Sequence, residues 1–506
     1  MARFKSYDYR QRVMIPVSLE DQIMYGTFEY AIQELIENRL DLSPFHAKYR
    51  NDETGRPAIN PKILLKIVLL AYSRGIVGSR RIEQACNENI IFLAMTCGYC
   101  PDHATIAEFV SGMPNQISPL FTQVLLICQE MGLLGGTYFA IDGCKLPGNA
   151  SKKWSGTLKE LKEKKESLEK KVDRLIQEHQ EKDQDSSSND NDSTDSPENF
   201  RKHQIERLNR QVERIKKFLD EAKPRIGKQK AELKSNVIDP DSAKMATSHG
   251  IIQGYNAQAI VDGKHQIILA GLASGEGNDN SQIPVLLPIL KQNLKTIGYK
   301  KSDLKKVTFA GDSAYFSVEN LKACAKEKLN AIIPDCNFRK RDPRLADQNK
   351  YQPKGHGKYP LAQFKYEEMK NQYRCPSGKI LTSYAKQAMI HGRKCRLYVG
   401  KKEACGACHL RIQCMMKTAK RRTLAIPIQG QKLSITDAMK QKIDSEEGRK
   451  EYAKRMGTVE PVFANIRETK GLKRFTLRGK IKAGIQWLLW CMVHNIEKIA
   501  NLGYSN

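Results

Sequence analysis

From residue 157 to residue 222 the chain drops any strand-like alternation and reads as two charged helices around a wholly polar stretch. Leu158, Leu161, Leu168, Val172 and Leu175 form one apolar stripe over 157–179. Ile205, Leu208, Val212, Ile215 and Leu219 form a second over 204–222, both at a period near 3.5. Between them EKDQDSSSNDNDSTDSPEN (181–199) carries no apolar residue and has nothing to bury. The simplest fold for such a pattern is an antiparallel coiled-coil hairpin with a disordered acidic tip, although the same stripes would serve for dimerisation. Because β-forming sequence flanks it on both sides, the hairpin (157–235) is expected to be an insertion into a core that must close around it.

That core reads as α/β. TYFAIDGCKL (137–146) is an apolar β-favouring run with Asp142 and Gly143 at its far end. Beyond the insertion, GYNAQAIVDGKHQIILAGLAS (from 254) holds two β-rich runs around Asp262-Gly263, a hairpin signal. SQIPVLLPILKQNLKTIG (281–298) has helical periodicity, and KKVTFAGDSAYFS (305–317) is a buried strand ending in Gly311-Asp312. Ser317 is placed to cap a helix over VENLKACAKEKL, and NAIIP (330–334) makes one more short strand. Strands, a hairpin and then strand–helix alternation predict a mixed sheet flanked by helices, in two parts, 136–156 and 236–337.

The rest of the chain divides around this core. Residues 1–135 read as helical: Pro61 opens PKILLKIVLLAYSRG, which closes at Gly75, and Ser79 is placed to cap SRRIEQACNENIIFLAM. Two helices across a tight turn, with Arg80 and Arg81 opening the second, suit a DNA-binding helix-turn-helix; a helical hairpin with solvated arginines is the plainer reading. Residues 338–440 are basic and rich in turns and cysteine, and 441–506 return to helix. There Tyr452, Met456, Val459, Phe463 and Ile466 share a stripe, and IQWLLWCMVHNIEKIANL (485–502) is apolar enough for core.

Charge names the class of partner. Lys and Arg number 84 against 56 Asp and Glu, a net +28 over 506 residues, laid on an ordinary 40% hydrophobic content. A folded body of roughly three domains with that excess points to a polyanion. No apolar run reaches membrane-spanning length and the N-terminus lacks a signal-peptide core, so a soluble cytoplasmic protein is expected.

Thirteen cysteines are too few for a disulfide scaffold. Cys86, Cys128, Cys324 and Cys491 sit singly in apolar runs as small hydrophobes. Cys405-Gly-Ala-Cys408, with Cys414 behind and Cys375 ahead, supplies four thiolates, enough for a structural Zn²⁺ site, with Cys395 and His409 as alternative ligands.

Asp142 and Asp312 each stand beside a glycine at the end of an apolar strand, a placement that suits joint ligation of a hard cation. Glu460, on the C-terminal helical stripe, is the candidate third acid; the proline after it predicts a helix start or kink there. Asp239, Asp241, Asp262, Glu276 and Asp279 are rivals. In this order the blocks resemble the DDE transposases of bacterial insertion sequences. AIDGCKLPGNASK resembles the first-Asp block, DPDSAK (239–244) with GYNAQ the approach to the middle strands, and VTFAGDSAYFS the second-Asp block. Tyr452, Arg455, Glu460 and Arg467 resemble the Tyr–Arg–Glu–Lys signature, with four residues rather than three between Arg455 and Glu460, and Arg467 in place of Lys. GRPAINPKILLKIVLLAYSRGIVGSRRIEQA through PDHATIAEF resembles the family's helical N-terminal domain.

The resemblance implies a ribonuclease-H-like core in which Asp142, Asp312 and Glu460 hold Mg²⁺ (or Mn²⁺) for DNA strand cleavage and strand transfer. It implies that Tyr452, Arg455 and Arg467 contact phosphate. Lys152 and Lys153, following the first acid, are placed to track the strand. The expected partners are double-stranded DNA, as terminal inverted repeats and target, and further copies of the chain. A catalytically inactive DNA-binding derivative of a transposase is the alternative.

Overall fold

The computed structural model describes residues 18–47, 49, 57–185, 197–227, 231–345, 347–348, 358–390, 393–428 and 433–504. They fall into two units, Met1–Val307 with Met456–Asn506, and Thr308–Arg455. Among them no helix is long and apolar enough to cross a membrane.

The first unit begins with helices. In α1 (Pro61–Ser73) proline occupies the first turn, where its missing N–H costs nothing, and the Asn60 side chain accepts from the Lys62 N–H. Lys66 interrupts the apolar run yet is only 3% exposed, because its ammonium lies 2.5 Å from Glu37. The expected second helix is two: α2 (Ser79–Glu88) and α3 (Ile90–Met95). Asn89 adopts an extended backbone between them and its side chain caps α3 through the Ile91 N–H. Ser79 is the first residue of α2, and Gly78 takes the capping position. α4 (Ile117–Glu130) completes this region.

β1 (Tyr138–Pro147) follows, then α5 (Leu158–Asp185) and α6 (Pro197–Glu221). These two helices pack on each other and bury Leu161, Val172, Leu208, Val212 and Ile215 from the two stripes. Both run further than their apolar stripes; most of the acidic tip between them, 186–196, lies outside the described residues.

β2 (Ala243–Thr247), β3 (Gly250–Asp262) and β4 (Ile268–Ser274) then form an antiparallel sheet with β1. The long β3 is its spine, carrying β1 along one edge and β2, then β4, along the other. Asp142 lies opposite Ala259 and Pro147 opposite Gly254, where an added Cβ would stand 2.0 Å from the Leu146 carbonyl. α7 (Ile283–Thr296) returns across the sheet to contact β4.

The second unit opens with β5 (Thr308–Gly311), α8 (Val318–Lys326) and β6 (Asn330–Ile332), a parallel β–α–β crossover in which Ser317 caps α8 as expected. The stretch expected to be mainly turns is instead a five-stranded antiparallel sheet. Its strands are β7 (Lys365–Glu367), β8 (Gln372–Arg374), β9 (Ile380–Ile390), β10 (Arg393–Gly400) and β11 (Thr423–Pro427), paired in that order. Phe364, Leu381, Tyr398 and Leu424 make its small core. Only Leu381 of β9 is buried, so the strand lacks the alternation by which half-buried strands are read from sequence.

α9 (Ile435–Asp444) and α10 (Glu446–Ala464) follow, then a π turn (Asn465–Thr469) and α11 (Lys480–Gly503). Pro461 neither starts nor breaks α10; it sits inside it. A proline there has no N–H for the carbonyl four residues back, at Gly457. Gln266, in the β3–β4 turn with φ of 63°, supplies the missing donor through Nε2 at 2.9 Å. Its Oε1 accepts from Lys498 and its carbonyl from His494, each at 2.9 Å, so one turn residue ties α10 and α11 to the sheet. Replacing Gln266 with Ala should lower the unfolding free energy by about 1–2 kcal/mol. Adding Pro461→Ala should recover part of that loss, because residue 461 then donates to Gly457 itself; denaturant titration of the four-member cycle measures both.

Candidate active site

Asp142 lies within β1, not at its end: five strand residues follow it. It is half-buried, and its Oδ1 accepts the Gly143 N–H at 2.8 Å. Strand alternation sends Asp142 and Cys144 to one face, across from Ala259 and Ala257, and Gly143 to the other, across from Gln258. The Asp142 face is the one α11 covers. Beside Ala259 on β4, Gly271 leaves room for Cys491 and Trp487, each 3.0 Å from where its Cβ would be. Trp487 donates to the Gln258 carbonyl at 2.9 Å and stacks on Phe463 of α10, the rings 6.1 Å apart and 12° from parallel.

Cys144 reports which charges meet on this face. Burial first pushes its thiol up to about 12; Arg467 pulls it down and Asp142 pushes it further up. Arg467, in the π turn after α10, and Asp142 therefore both lie within electrostatic reach of one buried sulfur. Glu460 is exposed on α10, one turn ahead of Phe463 and two ahead of Arg467. Asp142, Glu460 and Arg467 thus belong to one unit, and Phe463, one turn after Glu460, stacks on Trp487 over the Asp142 face.

Asp312 belongs to the second unit. It directly follows β5 and caps the short 3₁₀ turn Ser313–Tyr315, accepting the Ala314 N–H at 2.9 Å. Tyr452 meets Phe338 edge-on at 5.2 Å, and Arg455 is only 6% exposed. Arg80 and Arg81 are exposed in the first turn of α2, and Lys152 and Lys153 are exposed in a 3₁₀ turn beyond β1.

The rival acids have structural work. Asp239 accepts from the Tyr255 hydroxyl at 2.7 Å and the Gly479 N–H at 3.1 Å, and Asp241 accepts the Lys480 N–H at 2.8 Å. Together they cap α11, with Gly479 at φ 85°. Burial raises the Asp239 carboxyl above its usual range, against the pull of these hydrogen bonds. Asp262, fully buried, takes the N–H groups of Gly135, Gly136 and Lys264. Glu276 accepts from Ser281 and Gln282. Asp279 accepts from the Asn256 and Gln258 amides, both at 2.7 Å, across the sheet from Asp142.

Cys375, Cys405, Cys408 and Cys414 line one cavity of about 30 Å³ in the second unit; Cys395 and His409 do not. Gly400 lacks a side chain where a Cβ would lie 2.8 Å from the Cys405 sulfur. Burial raises the Cys414 thiol; Arg422 opposes, and the three other cysteines add to the rise. Among the described residues no three His, Cys, Asp or Glu side chains stand in ligating geometry as they are. Sequence reasoning missed Lys473, Arg474 and Arg478, which gather around a cavity with Lys152. Their only signal was a basic cluster, KGLKRFTLRGK, between two helices.

Gly143→Ala tests how tightly the sheet around Asp142 is built. The new Cβ would fall 2.0 Å from Gln258 Nε2 and 3.0 Å from Asn256 Oδ1, displacing the amides that hold Asp279. The variant should lose about 1–3 kcal/mol of stability by denaturant titration.

Two family models match the chain. One, described as a transposase DDE domain, covers residues 374–500; the other, a transposase domain (DUF772), covers residues 17–112. Neither the curated proteins nor the solved structures compared with the chain give a match.

Proposed function

From a chain that belongs to the DDE transposases of insertion sequences, we propose an active enzyme that binds the terminal inverted repeats of its element, cleaves DNA strands there and transfers them to target DNA. In this reading 136–156 and 236–337 make a ribonuclease-H-like core and 1–135 binds DNA. The helices of 157–235 form a coiled-coil insertion, 338–440 a Cys-rich insertion, and 441–506 carries the catalytic helix. The observation that carries it is that Asp142 and Arg467 both act electrostatically on the buried Cys144, with Glu460 two helical turns before Arg467.

Carboxylate oxygens are the donors a hard divalent cation takes, so Asp142, Asp312 and Glu460 would hold Mg²⁺ or Mn²⁺, which supplies Lewis acidity at the scissile phosphate. The chain's own residues do the positioning. A strand interior fixes the Asp142 carboxylate, and its orientation is set by the N–H of Gly143. Arg467 brings a permanent positive charge to the same face, where a phosphodiester lying against Asp142 needs one. Arg cannot act as a base, so its part is to hold phosphate. Tyr452, Arg455, Lys152 and Lys153 are further phosphate contacts in this reading, and Arg80 and Arg81 contact DNA from the N-terminal helices. Joining two element ends requires at least two chains on DNA.

Cys375, Cys405, Cys408 and Cys414, which line one cavity, are soft donors in sufficient number for a structural Zn²⁺, which would draw them together. Purified protein should carry about one zinc per chain by elemental analysis. Cys408→Ser should lose it along with thermal stability.

The deciding experiment is cleavage of a duplex carrying the flanking terminal repeats. Wild type should nick it with Mg²⁺ and not with EDTA. Asp142→Asn, nearly isosteric, should cut at least about 100-fold more slowly while binding the duplex as wild type does. Binding without cleavage in every condition would make the chain a DNA-binding derivative instead.

A further inference from the structure

Beyond Asp142, β1 runs on to Pro147 and the chain then leaves the sheet beside a cavity of about 620 Å³. Four basic residues line it: Lys152 from the segment after β1, and Lys473, Arg474 and Arg478 from the segment before α11. Among the described residues no carboxylate lines it. Asp239 and Asp241, the acids nearest in sequence to its Ile238, hydrogen-bond to the N-terminus of α11, and Asp239 also lies within electrostatic reach of Arg478.

The cavity is built to keep its shape. Arg474 donates to the Gly148 carbonyl at 3.1 Å and Arg478 to the Asn149 carbonyl at 2.8 Å. The same two segments are joined again by Phe475 N–H to Pro147 and by the Asn149 amide to Thr476, both at 2.8 Å. Gln253, also in the lining, is held from both ends, accepting from Ser155 at 2.9 Å and donating to Ser242 at 2.7 Å. A guanidinium has five N–H donors, so one hydrogen bond to the backbone orients the group and leaves donors for an anion. Basic groups fixed before binding lose little freedom when an anion arrives.

A polyanion that passes through suits such a place better than a small anion, because four cations line an open, wide space rather than enclosing a point. Gly148 is six residues from Asp142, or about 20 Å along a strand. At about 3.4 Å per base pair, a duplex that reaches both places spans roughly six base pairs between them. We propose that this cavity holds the phosphodiester backbone of the bound DNA roughly six base pairs from the scissile phosphate, with Lys152, Lys473, Arg474 and Arg478 as the contacts. The proposal rests on the transposase reading above and assigns the site that sets the register of the duplex over the acid.

The test uses the full chain and a duplex carrying the flanking terminal repeat, with Lys473→Glu and Lys152→Glu as variants and Lys216→Glu, exposed on α6, as control. Equal thermal midpoints confirm that each variant is folded. The cavity variants should bind at least about tenfold more weakly in low salt, and each should flatten the slope of log K against log salt by about 0.9 for every phosphate it no longer neutralises. The control should match wild type. Phosphate ethylation should interfere with wild-type binding in a patch roughly six base pairs from the cut, and Lys473→Glu should lose that patch. Wild-type cleavage with unchanged affinity, slope and interference in both variants overturns this proposal, and the Lys152 contact with it, while the transposase reading stands. No DNA binding by wild type overturns the functional reading and this site with it.

Discussion

Between Ile260 and Val261 the register of β3 against β4 jumps, and Leu269 is left as an extra residue without a strand partner. Such a bulge frees backbone groups in a buried place, where each needs a hydrogen bond. Two asparagines meet the demand. Asn495 of α11 accepts the Ile268 N–H at 2.8 Å and donates to the Ile268 carbonyl at 2.9 Å, as a neighbouring strand would. Asn293 of α7 donates to the Leu269 carbonyl at 2.8 Å and is itself held by Thr122 of α4 at 3.1 Å. The irregular strand is therefore the point at which three helices are locked to the sheet.

The influence of the bulge extends to the acid. With Asn495 fixed, α11 lies along the sheet so that His494 and Lys498 meet Gln266 on one side and Trp487 meets Gln258 on the other. Gln266 in turn completes the backbone of α10 below Pro461. Trp487 gives Phe463 its ring to stack on, which orients the exposed Glu460 face of the same helix. Buried Lys470 pairs with Glu497 at 2.6 Å and closes the π turn that carries Arg467 onto α11. A polar chain of contacts, not apolar area alone, thus decides where the charged residues of α10 stand.

Sequence reading reached the elements whose signals are local. The Asp142 and Asp312 runs are strands, Ser317 caps α8, and the two apolar stripes pack. It placed Asp142 at a strand end because Gly143 looked like a stop; yet Gly143 is mid-strand, chosen because Gln258 fills the space where its side chain would be. It took Pro461 for a start or kink because the rescuing donor, Gln266, lies 195 residues earlier in the chain. The second-unit sheet was invisible for a related reason. Strands that bury one residue in eleven advertise nothing, and their partners are set by the chain's path, not by pattern.

Net charge was legible too, but its distribution was not, and distribution decides which surface suits a polyanion. In the second unit some of the basic groups are paired where they stand. Arg341 bridges Asp335 and Asp444 at 2.5 and 2.6 Å, and Arg344 holds Asp342 at 2.7 Å. The hydrogen bond from Arg344 leads in drawing the Asp342 carboxyl down to about 2, so this pairing survives throughout the neutral range and loosens only as acid approaches that value. A cation so paired offers a passing phosphate little, since the acid beside it repels what the cation attracts. Around Gly148, Arg474 and Arg478 hydrogen-bond to carbonyls rather than to carboxylates, with Asp239 within electrostatic reach of Arg478. A carbonyl orients a guanidinium without cancelling its charge, so these two guanidiniums keep more of their charge than the carboxylate-paired arginines of the second unit.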